Sequence, residues 1–185
     1  MAPVTLATKH RSLRPLGILV PMAAVGAAAF FRDPERTPER GAVLAPADGV
    51  ISAIDHSSGA ATRISTYMRL HDVHVNRAPT DAVVCAMAHQ PGGNRPAFRK
   101  DSDLNERLHW TLDTQFGTIQ LVQIAGAFAR RIVPYRGVGE ALGQGDRIGL
   151  IRFGSRVDLY LPPGLQIMVH AGRRVRAGVD VVARS

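Results

Sequence analysis

Four short stretches carry side chains able to do chemistry: Gly154-Ser155-Arg156, His71-Asp-Val-His74, Ala45-Pro-Ala-Asp48-Gly49 and Asn105-Glu106-Arg107. A serine hydroxyl is a poor nucleophile until a base takes its proton. Arg156 and Val157 follow the serine, so the Gly-x-Ser-x-Gly elbow of a serine hydrolase is absent. Glycine ahead of the serine leaves a backbone free to bend sharply, which lets the hydroxyl approach its own preceding carbonyl. Attack there is an N-to-O acyl shift. Elimination across the resulting ester leaves dehydroalanine, whose hydrolysis gives a pyruvoyl group and ammonia. The products would be the chains 1–154 and 155–185. The plain alternative is a strand with a glycine bulge.

His71 and His74, three residues apart, share a face in a helix and lie on opposite faces in a regular strand. Imidazole titrates near neutral pH and suits a general base and acid, both for activating a serine and for later proton transfers. Two other readings stand beside that one: a hydrogen-bonding pair at a strand end, and a zinc site. Zinc needs a third ligand, and His89 and His109 lack characteristic spacing. Asp48 either orients one of the histidines, as a triad carboxylate does, or is an ordinary turn aspartate. Cys85 is the only cysteine, so no intrachain disulfide and no thiolate cluster can form. Its neighbours Val83, Val84, Ala86 and Met87 predict a buried position.

These residues need elements to hold them. A chain of 185 residues suits one domain with a substantial core. Few aromatics with 18 glycines and 12 prolines favour many short strands and turns over long helices. The formal charge of +8, almost all of it arginine, implies an anionic partner. Nucleic acid is not expected: no basic run interleaved with aromatics, no helix-turn-helix pattern and no zinc-finger spacing occurs.

A basic start precedes the uncharged run 15–31, which as a helix would reach roughly 26 Å, slightly short of a bilayer core. Pro21 and Gly26 would weaken it. It reads as a retained membrane-associating helix, shallowly inserted or spanning with distortion, rather than a cleaved signal. Asp33–Gly41 reads as a polar link, so residues 1–41 form an N-terminal region and 42–185 the working domain. Strand, turn, strand is expected over Ala42–Ile54, with Asp48-Gly49 as a left-handed turn. Further strands are expected over 61–70, 73–75, 81–88, 148–151 and 157–161, and a hairpin over 108–124 around Gln115-Phe116-Gly117. A loop over 90–97 and a polar stretch over 98–106 intervene, and 126–132 is either a short helix or part of a strand. Ala45–Gly49 together with 175–182 resembles the turns of lipoyl-like domains. The fold class is therefore mainly β, a compact barrel-sandwich-like domain with an N-terminal apolar helix.

Asp33-Pro-Glu-Arg36, Pro46-Ala-Asp-Gly49, His71-Asp-Val-His-Val-Asn-Arg-Ala-Pro79, Asn105-Glu-Arg107 and Arg152-Phe-Gly-Ser-Arg156 occur together and in this order. The set resembles the short form of the phosphatidylserine decarboxylase proenzymes, from about Arg32 to about Gly164. The resemblance implies autocatalytic cleavage between Gly154 and Ser155, with Ser155 becoming the pyruvoyl cofactor and Schiff-base residue, and no metal. It implies that Asp48 and His74 drive self-cleavage and that His71 serves decarboxylation. Longer family forms carry Leu-Gly-Ser-Thr where this chain has Phe153-Gly-Ser-Arg156. The substrate would be phosphatidylserine and the product phosphatidylethanolamine, in phospholipid biosynthesis. Arg152, Arg156, Asn105 and Glu106 are candidates for substrate contact, with Arg69, Arg77, Arg130 and Arg131 as further candidates for phosphate. The expected partners are an anionic membrane surface at the cytoplasmic face, the two self-cleavage chains held together, and further copies in a homo-oligomer. An alternative function is a non-enzymatic β module that binds anionic lipid.

Overall fold

Short runs of β-branched and aliphatic residues, each closed by glycine, proline or aspartate, build most of this chain into strands. The computed structural model describes residues 14–56, 61–93, 105–126, 131–152 and 155–185. One helix, α1 (Arg14–Phe30), precedes the strands. These are β1 (Val43–Leu44), β2 (Gly49–His56), β3 (Thr62–Met68), β4 (Val75–Arg77), β5 (Ala82–Gln90), β6 (Arg107–Thr114) and β7 (Gly117–Ile124). They continue as β8 (Ile132–Pro134), β9 (Ala141–Leu142), β10 (Arg147–Ile151), β11 (Ser155–Leu161), β12 (Gln166–Ile167), β13 (Arg174–Val175) and β14 (Val181–Arg184).

The largest sheet runs β13-β2-β3-β11-β7-β6-β5-β9 and curls into a half-barrel, so the domain is mainly β as expected. Two smaller sheets, β1-β14-β12 and β4-β10-β8, accompany it. At the centre β11 pairs antiparallel with β3 from Ser155 opposite Met68 to Leu161 opposite Thr62, and with β7 on its other side. Val157, Leu159 and Leu161 fill the core with Ile51, Ile64, Trp110 and Leu121. Each such side chain contributes about 1.5–3 kcal/mol through burial. The β6–β7 hairpin closes where expected, with Gly117 at φ 94° and the Thr114 hydroxyl accepting from the Phe116 N–H.

Three local expectations are corrected. β1 and β2 do not form a hairpin: β1 pairs with β14, and β2 with β3 and β13. Gly49 starts β2 at φ 153°, and its missing side chain admits the Tyr67 carbonyl. Cys85 is exposed: Ala82 and Val84 of β5 point inward, so Val83 and Cys85 alternate outward, and a bulge follows between Val84 and Ala86.

Helix α1 ends before Asp33-Pro34, where a residue preceding proline disfavours helical geometry. Met22 and Val25 are 65% and 69% exposed, while Phe30 at the last turn is buried. Among the described residues no helix is long and apolar enough to cross a membrane. Beyond α1, Asp33 pairs with Arg77 (2.7 Å) and Arg147, and Glu35 with Arg147 (2.6 Å). These ion pairs fasten the polar 33–36 segment to the domain.

The chain leaves one of the smaller sheets at Ile151 in β10 and enters the large sheet at Ser155 in β11, so it crosses between sheets from Ile151 to Ser155. A Cβ on Gly49 would stand 2.2 Å from the Tyr67 carbonyl oxygen, near the end of β3 that faces the start of β11. Gly49→Ala is therefore expected to cost about 2–3 kcal/mol. Urea unfolding reads this as a lower midpoint, and an unchanged midpoint would mean that β2 and β3 part freely.

Candidate active site

The crossing is bordered on both sides by one continuous stretch, 68–74. Met68 pairs with Ser155, and the His74 carbonyl accepts from the Ile151 N–H at 3.3 Å. His74 thus sits immediately before β4, whose pairing with β10 fixes it next to the chain that leads into the crossing. Gly154, half of the expected scissile pair, lies outside the described residues.

His74 is fully buried. Its Nδ1–H donates to the Asp72 carbonyl at 2.9 Å, so Nε2 carries the lone pair. That Nε2 has no hydrogen-bond partner among the described residues. The Phe30 ring lies over the imidazole, centroids 4.2 Å apart. Burial pushes His74 below the ordinary histidine range; Asp72 and Asp48 oppose the shift and Arg32 adds to it. A dry imidazole, neutral near pH 7 and with one free lone pair, is what a general base requires.

His71 is placed differently: its side chain is 67% exposed, with Nε2 3.9 Å from the Asp72 carboxylate. It opens onto a cleft of about 360 Å³ lined by Gly26, Ala29, Phe30, Arg32, Leu70 and His71. Arg32 reaches across to donate to the His71 carbonyl. Asp72 anchors the loop, accepting from the Arg69 N–H at 2.8 Å and pairing with Arg174.

Asp48 makes no hydrogen bond to either histidine, contrary to the triad-like expectation. Arg36 grips both of its carboxylate oxygens, one at 2.9 Å, and the Ala177 N–H donates to it at 2.8 Å. Its influence on His74 is through charge. Arg36 stood in the quoted Asp-Pro-Glu-Arg segment but drew no role, and its spacing from Asp48 carries no signal of the pairing.

The substrate-contact candidates separate. Arg156 pairs with buried Asp158 at 3.0 Å within β11. Arg77 is buried and donates to Asp33, to the Pro34 carbonyl (2.9 Å) and to the Gly145 carbonyl (3.0 Å). Asn105, also buried, donates to the Ala125 carbonyl at 2.7 Å. Glu106 bonds His89 at 3.0 Å. Its carbonyl accepts from the Ala125 N–H, so two strand spacings, about 10 Å, separate its backbone from that of Ser155. Arg69, Arg131 and Arg152 are exposed, whereas Arg130 lies outside the described residues. Among the described residues no three His, Cys, Asp or Glu side chains gather as a metal site.

A buried polar chain went unread in the sequence. Trp110 donates to Gln123 (2.8 Å), Gln123 to Asn76 (2.7 Å), and Asn76 approaches the Met68 sulfur at 3.7 Å. It ties β4, two residues beyond His74, to the large sheet on both sides of β11.

A family model described as phosphatidylserine decarboxylase matches residues 26–183. This chain belongs to the phosphatidylserine decarboxylase family. A phosphatidylserine decarboxylase proenzyme of Thermobifida fusca (strain YX) is 53% identical over 168 residues, covering 91% of this chain and 77% of that one. One from Streptomyces griseus is 49% identical over 185 residues, covering 99% and 86%. In a Halobacterium salinarum relative, 45% identical over 173 residues and covering 92% and 86%, the lipid in the name is archaetidylserine. In this member of the family, then, the stretch that carries both histidines borders the sheet crossing.

The lowered His74 titration has a consequence for stability. Above the ordinary value of 6.5 the imidazole is neutral in folded and unfolded chains alike. As pH falls below it, the unfolded chain binds the proton first, so stability is lost on the way down through the folded-state value. Urea midpoints between about pH 7.5 and 5 should fall for the wild type and fall less for His74→Gln. Equal slopes would mean that His74 is not buried neutral.

Proposed function

We propose that this chain is a self-processing, pyruvoyl-dependent decarboxylase that converts phosphatidylserine to phosphatidylethanolamine in phospholipid synthesis. The observation that carries the reading is the buried His74, its Nε2 unpartnered among the described residues, beside the β10–β11 crossing. In this reading His74 Nε2 takes the Ser155 hydroxyl proton as the oxygen attacks the Gly154 carbonyl. The C–N bond breaks and an ester forms. Loss of the Ser155 α-proton expels the Gly154 carboxylate, and water then replaces the amine nitrogen, which leaves as ammonia. No oxidant or reductant is needed.

Charge on Asp48, held by Arg36, favours the imidazolium that forms at His74 during attack. A pyruvoyl group at position 155 would supply a carbonyl that takes the substrate amine and accepts the electrons released with carbon dioxide. His71, exposed at the cleft, is assigned to the carboxylate or to the returning proton. Arg32, Arg69, Arg131 and Arg152 offer charge to the headgroup phosphate, with Glu106 at the margin.

The same topology supports lasting association of the cleaved chains. Chain 155–185 would keep β11 between β3 and β7, β13 on β2, and β14 on β1. The barrel-sandwich class, a division into 1–41 and 42–185, and a homo-oligomer at the cytoplasmic face of the membrane belong to this reading. Exposed Met22, Val25, Phe31 and Leu70 support an apolar footing for α1 at a lipid surface.

Intact-mass measurement of active protein should find two polypeptides separating after Gly154, the smaller one reactive to hydrazines. Ser155→Ala should remain a single chain and lose carbon dioxide release by at least about a thousandfold. His71→Ala should still cut itself but release carbon dioxide about 10²–10⁴-fold more slowly. Ester- and ether-linked serine lipids assayed side by side separate the two lipid classes named among the relatives. An uncut chain with full activity would end the reading.

A further inference from the structure

The end of α1 reaches the candidate base directly. Phe30 is 6% exposed although the turns before it face outward. Its ring lies 4.2 Å from that of His74, tilted by 36°, and is braced edge-on by Phe31 at 5.0 Å. Arg32 clamps this turn in place, donating from Nη1 to the Ala29 carbonyl at 2.6 Å and from Nη2 to the His71 carbonyl. One guanidinium thereby joins the C-terminal end of the helix to the loop that carries both histidines.

We infer that Phe30 is a positioning residue for self-processing: it keeps water off the His74 ring and holds that ring in one orientation. The inference rests on the reading of His74 as the base for Ser155. Phe30 is an unusual choice for a residue that merely ends a helix, since it is buried against an imidazole rather than against the aliphatic core. It does not belong to the main core cluster.

Two effects of an aromatic ring on an imidazole oppose each other. Excluding water disfavours the protonated form, whereas a ring face attracts a cation. The charged groups around His74 are Asp72 on its own loop, Arg32 at the end of α1 and Asp48 ahead of β2; Arg174 partly offsets Asp72. Burial outweighs the attraction of the two carboxylates in lowering His74, and the Phe30 ring is one of the groups that cover the imidazole. Removing the Phe30 ring should make the histidine easier to protonate and a poorer base in mild acid.

Titration by NMR of the His74 imidazole in full-length Ser155→Ala protein, which cannot cut itself, tests this without requiring activity. Phe30→Ala in that background should raise the midpoint, and Phe30→Leu, apolar and similarly bulky, should hold it near the parent. In protein retaining Ser155, Phe30→Ala should shift the pH profile of self-cleavage upward, slowing the reaction roughly three- to tenfold at a pH below the midpoint. An unmoved or lowered midpoint overturns the inference, even if cleavage becomes slower at every pH. Normal cleavage in His74→Ala would instead remove the base assignment, while the NMR titration would still judge the contact between the rings.

Discussion

A histidine buried with one ring nitrogen satisfied and the other without a partner among the described residues is the constraint on which this structure turns. Leaving a polar atom unpaired in a dry interior costs about 1–3 kcal/mol. At His74 no partner for Nε2 is found among the described residues, and much else is fixed around the ring. The Asp72 carbonyl sets the tautomer, Arg174 and the Arg69 N–H hold Asp72, and Phe30 closes the top. The Trp110–Gln123–Asn76 chain pins the strand that follows. None of these contacts need touch the bond to be cut. Together they deny the ring alternative positions, which is what the proposed role as a preorganised base would require.

Topology bears on how the proposed self-cleavage could be tolerated. β10 ends at Ile151 and β11 begins at Ser155, and each strand is held by neighbours remote in sequence. β10 lies between β4 and β8, and β11 between β3 and β7. A break between Ile151 and Ser155 would leave these strand pairings in place. A scissile bond within β11 would instead have opened the centre of the half-barrel.

Local pattern made much of this legible. The β6–β7 hairpin, the span of α1, and the β10 and β11 runs on either side of the serine follow from apolar alternation and turn residues. Cys85 did not, since it alternates outward from Ala82 and Val84 within an unbroken apolar run that does not mark which face is inward. Gly49 was legible as a special glycine but not as one needed for close approach of another strand. The candidate histidines were legible as a pair, yet their opposite fates depend on packing: one sealed beneath Phe30, the other open at the cleft. Arg36 on Asp48 joins residues whose pairing comes from the path of the chain around the domain, which no spacing encodes.

That path gives the 33–36 segment its importance. A buried carboxylate such as Asp48 needs a close cation, and removing the partner of such a pair typically costs about 3–5 kcal/mol. Arg36 comes from outside the strands, on the stretch that continues from α1. Asp33 repeats the arrangement on Arg77 and Arg147, each of which belongs to the β4-β10-β8 sheet. Arg36 on Asp48, the Phe30 ring on His74 and Asp33 on the β4-β10-β8 sheet thus all come from one short segment, 30–36. An apolar helix resting at a lipid surface would be connected through that segment to the chemistry by side-chain contacts rather than by a loose tether.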